Sequence, residues 1–252
     1  PVGIIVKREF FDQFLIEEAV GKGVDFYPLT SPLSLENEGS RLKLTTNKGI
    51  FYTDKLIGAD GVFSIIAKLA GIRKSYSKLE LGFTVSTNVP GEVLPEDKEV
   101  ADLYCIPFPA GFGWAFPRQD GYTIGLGCTS LVEKKVYPYF LEFLERIGKL
   151  KSLALKERSR DLGHYIPAGG FKRPVASGKV LLLGDAAGFV DPFSGEGIYY
   201  AVRSGLIAAE QIRLSEEKTN YSLAAEYTKA CYREFLFDYR LSWLLAFCSG
   251  KK

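Results

Sequence analysis

The 252-residue chain contains no methionine and a single histidine, His164. One imidazole excludes a zinc site built on several histidines, and no nucleophile-elbow motif accompanies it to suggest a Ser-His or Cys-His pair. Cysteine is scarce: Cys105, Cys128, Cys231 and Cys248 lie far apart with no CxxC pair, which excludes a small disulfide framework and points to a reducing compartment. No metal site is expected. No apolar run approaches the ~20 residues that span a bilayer, and no stretch reads as a signal peptide. Excess charge of one sign is also missing: 32 basic residues face 30 acidic ones, so nothing marks a nucleic-acid partner. The lack of methionine, with Pro1 at the front, leads to the expectation of a piece of a longer protein.

What is present is an ordinary globular composition, 46% hydrophobic and 25% charged, enough for a substantial core. The most informative stretch runs from Lys179 to Glu210. Val180 to Leu183 form an uninterrupted apolar run, as in a strand buried on both faces of a parallel sheet, and Gly184-Asp185 ends it. Asp191, Pro192, Ser194, Gly195 and Gly197 cluster as turn residues, and Ile198 to Ile212 carry apolar residues at helical spacing. A helix starting beyond a strand end aims free N–H groups and its positive dipole end at whatever occupies the crevice, favouring an anionic or electron-rich ligand. A second junction has the same logic: Leu56, Ile57 and Ala59 form a strand, Asp60-Gly61 ends it, and a helix follows from Phe63 to Ala70.

Elsewhere, Gly3–Val6, a helix over Phe10–Val20 and Val24–Leu29 read as strand-helix-strand with a right-handed parallel crossover. Leu33–Leu35, Arg41–Thr46 and Gly49–Thr53 read as a small antiparallel ribbon with a three-residue loop at Asn47-Lys48-Gly49. From Lys78 to Leu131 alternation and turn signals predict an antiparallel sheet. Helices are expected over Val136–Leu155 and from Ser222 to Leu244. In the latter, Lys229, Arg233 and Arg240 beside aromatics suit a membrane surface, whereas Glu234 and Asp238 favour an ordinary packed helix.

The segment GDAAGFVDPFSGEGIYYAVRSG resembles the second flavin-binding motif of the geranylgeranyl reductase family, within the FAD enzymes sharing the p-hydroxybenzoate hydroxylase fold. ADGVFSIIAK resembles their ADGxxSxxR motif: Asp60, Gly61 and Ser64 match, while Ala67 replaces the arginine, with Lys68 next. Arg8, Asp12 and Leu15 fit the pattern in which an arginine reaches FAD. Phe112-Gly113-Trp114-Ala115-Phe116-Pro117, followed at the right distance by Gly125-Leu126-Gly127, resembles the family's YxWxFPx7GxG motif, with Phe112 replacing the tyrosine. The family's opening GxGxxG turn has no counterpart, since Gly21-Lys22-Gly23 closes a helix.

The resemblance implies an α/β and α+β fold: a partial Rossmann-like FAD-binding domain with an inserted antiparallel β-sheet substrate domain. Its parts would be residues 1–77 and 161–215 for FAD, 78–160 for substrate, and a helical region over 216–252. FAD would be held by Arg8, Asp60, Gly61, Asp185, Gly195, Glu196 and Gly197, with Asp185 toward the ribityl and pyrophosphate region and the Gly195–Gly197 N–H groups toward the N1/O2 edge of the ring. Trp114, Phe116, Pro117, Gly125 and Gly127 would bound an isoprenoid lipid, whose double bonds are reduced. Pro167, within Ile166–Gly170, is expected to shape a turn. No catalytic residue is assigned; Tyr104 and Cys105 are weak candidates for the proton donor against a structural role for each. The implied partners are the lipid and an electron donor, NAD(P)H or ferredoxin-type, in the cytoplasm or peripherally at a membrane. Two alternatives compete: an FAD monooxygenase of aromatic substrates, and a non-catalytic remnant or half-subunit whose partner supplies the dinucleotide-binding half.

Overall fold

A computed structural model of the chain describes residues 6–97 and 99–249, with side chains described as far as Ala246. The period-two alternation between Leu81 and Pro167 produces a five-stranded antiparallel sheet. Its strands are β5 (Leu81–Pro90), β6 (Asp102–Cys105), β7 (Phe112–Arg118), β8 (Gly121–Thr129) and β9 (Leu162–Pro167), in the order β6-β7-β8-β5-β9. Its rear face offers Val85, Val89, Ala115, Ile124 and Leu126 to one stripe of helix α3 (Glu133–Leu150), where Val136, Phe140, Phe143, Leu144 and Ile147 recur at helical spacing. Its front face is left for the site.

A second sheet joins β4 (Leu56–Gly58), β10 (Ala176–Ser177) and β11 (Val180–Leu182) in the order β10-β11-β4. β11 pairs parallel to β4 although the whole antiparallel sheet lies between them in sequence. All three β11 residues are buried, which accounts for their unbroken apolar run. Gly58 is needed at the last rung, since a Cβ there would lie 2.8 Å from Leu182 Cδ2. Helices α5 (Ile198–Glu217) and α6 (Leu223–Ser249) close this core with Ile207, Ala208, Tyr227, Cys231, Phe235 and Tyr239. The Tyr227 hydroxyl donates to the Leu182 carbonyl at 2.6 Å, so burying that polar group costs little. The ordinary packed reading of this last helix is thus the one its inner face adopts.

The ribbon forms from β1 (Pro32–Asn37), β2 (Leu42–Thr46) and β3 (Gly49–Thr53). Its β2–β3 loop has two residues, not the three expected, because Thr46 pairs with Gly49 and its hydroxyl both donates to the Gly49 carbonyl and accepts the Lys48 N–H. The front of the chain departs further. Helix α1 (Arg8–Gly21) forms, yet Val24–Leu29 is not a strand: no described strand runs alongside to accept its ladder, and Val24, Phe26, Tyr27 and Leu29 are exposed. The expected crossover is therefore not formed among the described residues. Of its first strand, Gly3–Ile5 lie outside the described residues and Val6 is not in a strand. No described helix is long and apolar enough to cross a membrane.

Candidate functional site

Chain direction reverses just beyond β11. Gly184, at φ +48°, opens the single turn α4 (Gly184–Ala187), and Gly188 closes it in the left-handed region. Asp185 is thereby placed against the start of α5: a Cβ on Gly197 would lie 3.4 Å from Asp185 Oδ1. Burial pushes the Asp185 carboxyl above its ordinary value, opposed by the charges of His164 and Arg8. Arg8 itself is held in a two-pronged pair with Asp12, both bonds at 2.9 Å, and reaches Asp185 only through its field.

The turn before α5 is organised by Asp191, a buried residue absent from the expected site set. One carboxylate oxygen accepts the Phe193 and Ser194 N–H groups at 3.0 and 2.7 Å and the Ser194 hydroxyl at 2.9 Å; the other accepts from Ser242 of α6. The acid-proline pair in a turn carried the signal for such an Asx arrangement. Within this turn the Gly195 N–H is taken by the Asp191 carbonyl and the Glu196 N–H by Ser194 Oγ, so two of the three amides expected to face a ligand are engaged internally. Glu196 also bends its side chain to accept the Tyr199 N–H at 2.9 Å, capping α5.

Asp60 is similarly committed. Its carboxylate accepts the Ser64 hydroxyl at 2.5 Å and the Ile65 and Ile66 N–H groups at 2.7 and 3.0 Å, fixing the start of α2 (Ile65–Leu69) later than the sequence suggested. Ala67 lies in the core. Arg73, further along, supplies a cation that sequence reasoning missed: its Nη2 donates to the Ala186 carbonyl at 2.6 Å, while the Tyr76 hydroxyl donates to the Asp185 carbonyl at 2.9 Å. The Arg73 guanidinium stacks 3.8 Å from the Tyr76 ring centroid. Burial pushes Tyr76 up to about 12, keeping its hydroxyl a donor. These groups hold α4 by its carbonyls and leave its other side to the site.

Opposite lies the front of the antiparallel sheet. Phe112 pairs with Gly127, Trp114 with Gly125 and Phe116 with Thr123, so the WxFPx7GxG spacing is the register of one hairpin. Trp114 is bracketed by Phe112 and Phe116, with ring centroids 5.7 and 6.1 Å away. A cavity of about 590 Å³ lies between this floor, the Asp191–Gly195 turn and α6. Trp114, Phe116 and Gly127 form part of its wall, whereas Gly125 lies under the Trp114 indole and Pro117 pairs with Tyr122 outside the wall. Trp243 of α6 completes the wall and had not been assigned to it.

Neither weak proton-donor candidate reaches this cavity. Tyr104 is on the rear face against Phe143 with its hydroxyl donating to Asp102, and Cys105 is exposed outside the cavity wall. Cys128 does border the cavity, and burial pushes its thiol up to about 11. Among the described residues no group of His, Cys, Asp or Glu is arranged to hold a metal.

The arrangement, a strand-turn-helix crevice facing an apolar sheet, matches the fold of solved flavin-dependent enzymes. It superposes on a geranylgeranyl bacteriochlorophyll reductase-like protein of Thermoplasma acidophilum with a TM-score of 0.85 at 24% identity, covering 100% of this chain and 66% of that one. Among sequences, the chain is 30% identical over 260 residues to digeranylgeranylglycerophospholipid reductase of Methanocaldococcus jannaschii, covering 96% of this chain and 63% of the relative. It is also 33% identical over 215 residues to an uncharacterized protein of Methanosarcina barkeri, covering 84% and 52%. No protein-family model matches. The chain spans between about half and two thirds of the length of these curated relatives.

Proposed function

We propose that this chain carries the substrate side and the ring-binding turn of a flavin-dependent reductase of isoprenoid double bonds. The observation that carries the reading is the contact of the apolar cavity with the Asp191–Gly195 turn. A volume of about 590 Å³ lies within the ~300–1,000 Å³ of small-molecule sites and leaves room for an apolar chain. Burial of each methylene there is worth ~0.8 kcal/mol.

The turn fits a planar ring. An added Cβ on Gly195 would meet nothing closer than Ile166 Cδ1 at 3.8 Å, so the backbone there is open to close approach, and its φ of +72° suits glycine. A bound flavin would supply the hydride. Asp185 would accept hydrogen bonds from its polar side chain, and the start of α5 would stabilise negative charge at the ring edge. Trp114 and Phe116 orient the alkene and exclude water. Among the described residues the walls provide no acid for the neighbouring carbon: the Cys128 thiol holds its proton and Asp191 is committed to its turn. We assign that proton to water at the cavity mouth.

The exposed apolar stripe of α1, with Phe10, Phe14 and Leu15, favours the companion reading that tight flavin binding needs a further folding unit supplying the dinucleotide half. The electron donor, of NAD(P)H or ferredoxin type, and a membrane contact through exposed Phe237, Leu241 and Leu244 of α6 belong to the same proposal. Titrating the purified chain with FAD, reducing with dithionite and supplying geranylgeraniol tests it by mass spectrometry. Gain of two hydrogens per double bond is expected; oxygen-dependent hydroxylation would overturn it, and absence of any flavin binding would favour the half-subunit.

A further inference from the structure

The floor of the cavity is sheet only as far as the row Thr129, Gly82 and Ile166. Beyond that row the wall passes to Leu79 and Leu131, both exposed, and to Trp243 and Ala246 of α6. Trp243 is anchored on several sides. Its indole Nε1–H donates to the Gly169 carbonyl at 2.9 Å, and its ring meets Phe171 edge-on with centroids 5.6 Å apart. It also packs on Gly170, where an added Cβ would lie 2.9 Å from both Cδ1 and Nε1. Gly170 sits at φ +87°, so both its conformation and its missing side chain serve the indole.

We propose that Trp243 is the end wall of the apolar cavity and determines the length of isoprenoid chain it accepts. This rests on the isoprenoid reading of the cavity and adds to it a residue that measures the substrate. A floor of stacked rings and glycines grips any prenyl chain alike, because apolar contact carries no length information. A rigid stop does, since each further methylene must then remain in water or force strain. Leu79 and Leu131, at the surface, can yield; a ring fixed by a hydrogen bond and by Phe171 cannot.

The test is displacement of a dansyl-tagged geraniol probe from the 252-residue chain by geraniol, farnesol, geranylgeraniol and geranylfarnesol. For the natural chain, affinity should rise along the series and stop rising at geranylgeraniol. Trp243→Ala should extend the rise to geranylfarnesol, tightening that ligand ~10-fold. Trp243→Phe, which keeps a ring on Gly170, should return most of the natural ranking. Ala246→Phe should move the break down to farnesol, and it keeps the idea testable should Trp243→Ala fail to fold. If the folded Trp243→Ala or Ala246→Phe chain ranks the alcohols as the natural chain does, Trp243 is not the end wall although the cavity still binds prenyl chains. If no alcohol displaces the probe from the natural chain, the isoprenoid reading falls and the end wall with it.

Discussion

The indole of Trp114 lies across Gly125 on the neighbouring strand so closely that a Cβ on Gly125 would be 2.3 Å from Trp114 Cζ2. The glycine is therefore half of the tryptophan's seat. Gly125→Ala should push the indole off the floor and into the cavity. Stability should fall by about 1–3 kcal/mol, as for other overpacked sites, and prenyl-alcohol binding should weaken more than the fold does. Thermal melts alongside probe displacement check this; binding unchanged at full stability would show that the indole does not form the floor.

Asp185 is a carboxylate kept from water, with burial raising its pKa. An acid whose folded pKa lies above its unfolded value takes stability away as pH rises from the unfolded value through the folded one. Asp185→Asn should thus stabilise the flavin-free chain at neutral pH by ~1 kcal/mol, as when strain at a functional site is relieved. The gain should vanish below about pH 3, where both states are protonated. The same substitution should weaken flavin binding, read by fluorescence titration.

A buried ion cluster ties the far side of the antiparallel sheet together. Lys151 Nζ lies 2.5 Å from Asp97 Oδ2 and 2.8 Å from Asp102 Oδ2, and the Tyr122 hydroxyl donates to Asp97 at 2.6 Å. Burial alone would raise the Asp97 carboxyl, but the bonds from Lys151 and Tyr122 bring it below its ordinary value. Its contribution is complete above the unfolded carboxylate range and lost as pH falls through the folded value. Asp97→Asn should cost about 3 kcal/mol at pH 7 and almost nothing near pH 2, by chemical denaturation across pH. Lys151 is shifted upward, so the natural chain should also lose stability above about pH 10.5, as that amine is deprotonated.

Asp60 distinguishes a structural from a ligand role. Its carboxylate caps α2, so Asp60→Ala should destabilise by ~1 kcal/mol. Asp60→Asn, a cap acceptor of the same shape, should restore most of that stability. A direct ligand would instead lose flavin affinity equally in both variants while stability separated them.

Much of this architecture could be read from the residues because their constraints are local. The apolar run Val180–Leu182 has one comfortable home, a doubly covered strand, and the alternation of β5 to β8 fixes which residues face α3. The spacing from Trp114 to Gly125 is legible as a hairpin register once the turn at Gln119-Asp120 is placed. Arg73 and Trp243 were not legible, because each acts on carbonyls distant in sequence, at Ala186 and Gly169, and neither carries a local pattern. Val24–Leu29 failed for the opposite reason: its composition suits a strand, but a strand is a property of a pair, and none of the described strands lies beside it.

The seating of α6 on Gly169-Gly170 has a consequence for how the protein is made. The floor of the cavity is synthesised early and its last wall, at Trp243 and Ala246, late. During translation the rings of Phe112, Trp114 and Phe116 must therefore emerge before the helix that covers their cavity. A ribosome pause or truncation just before Leu223 would leave them open to water, so the nascent chain should be most prone to chaperone capture and aggregation in that interval.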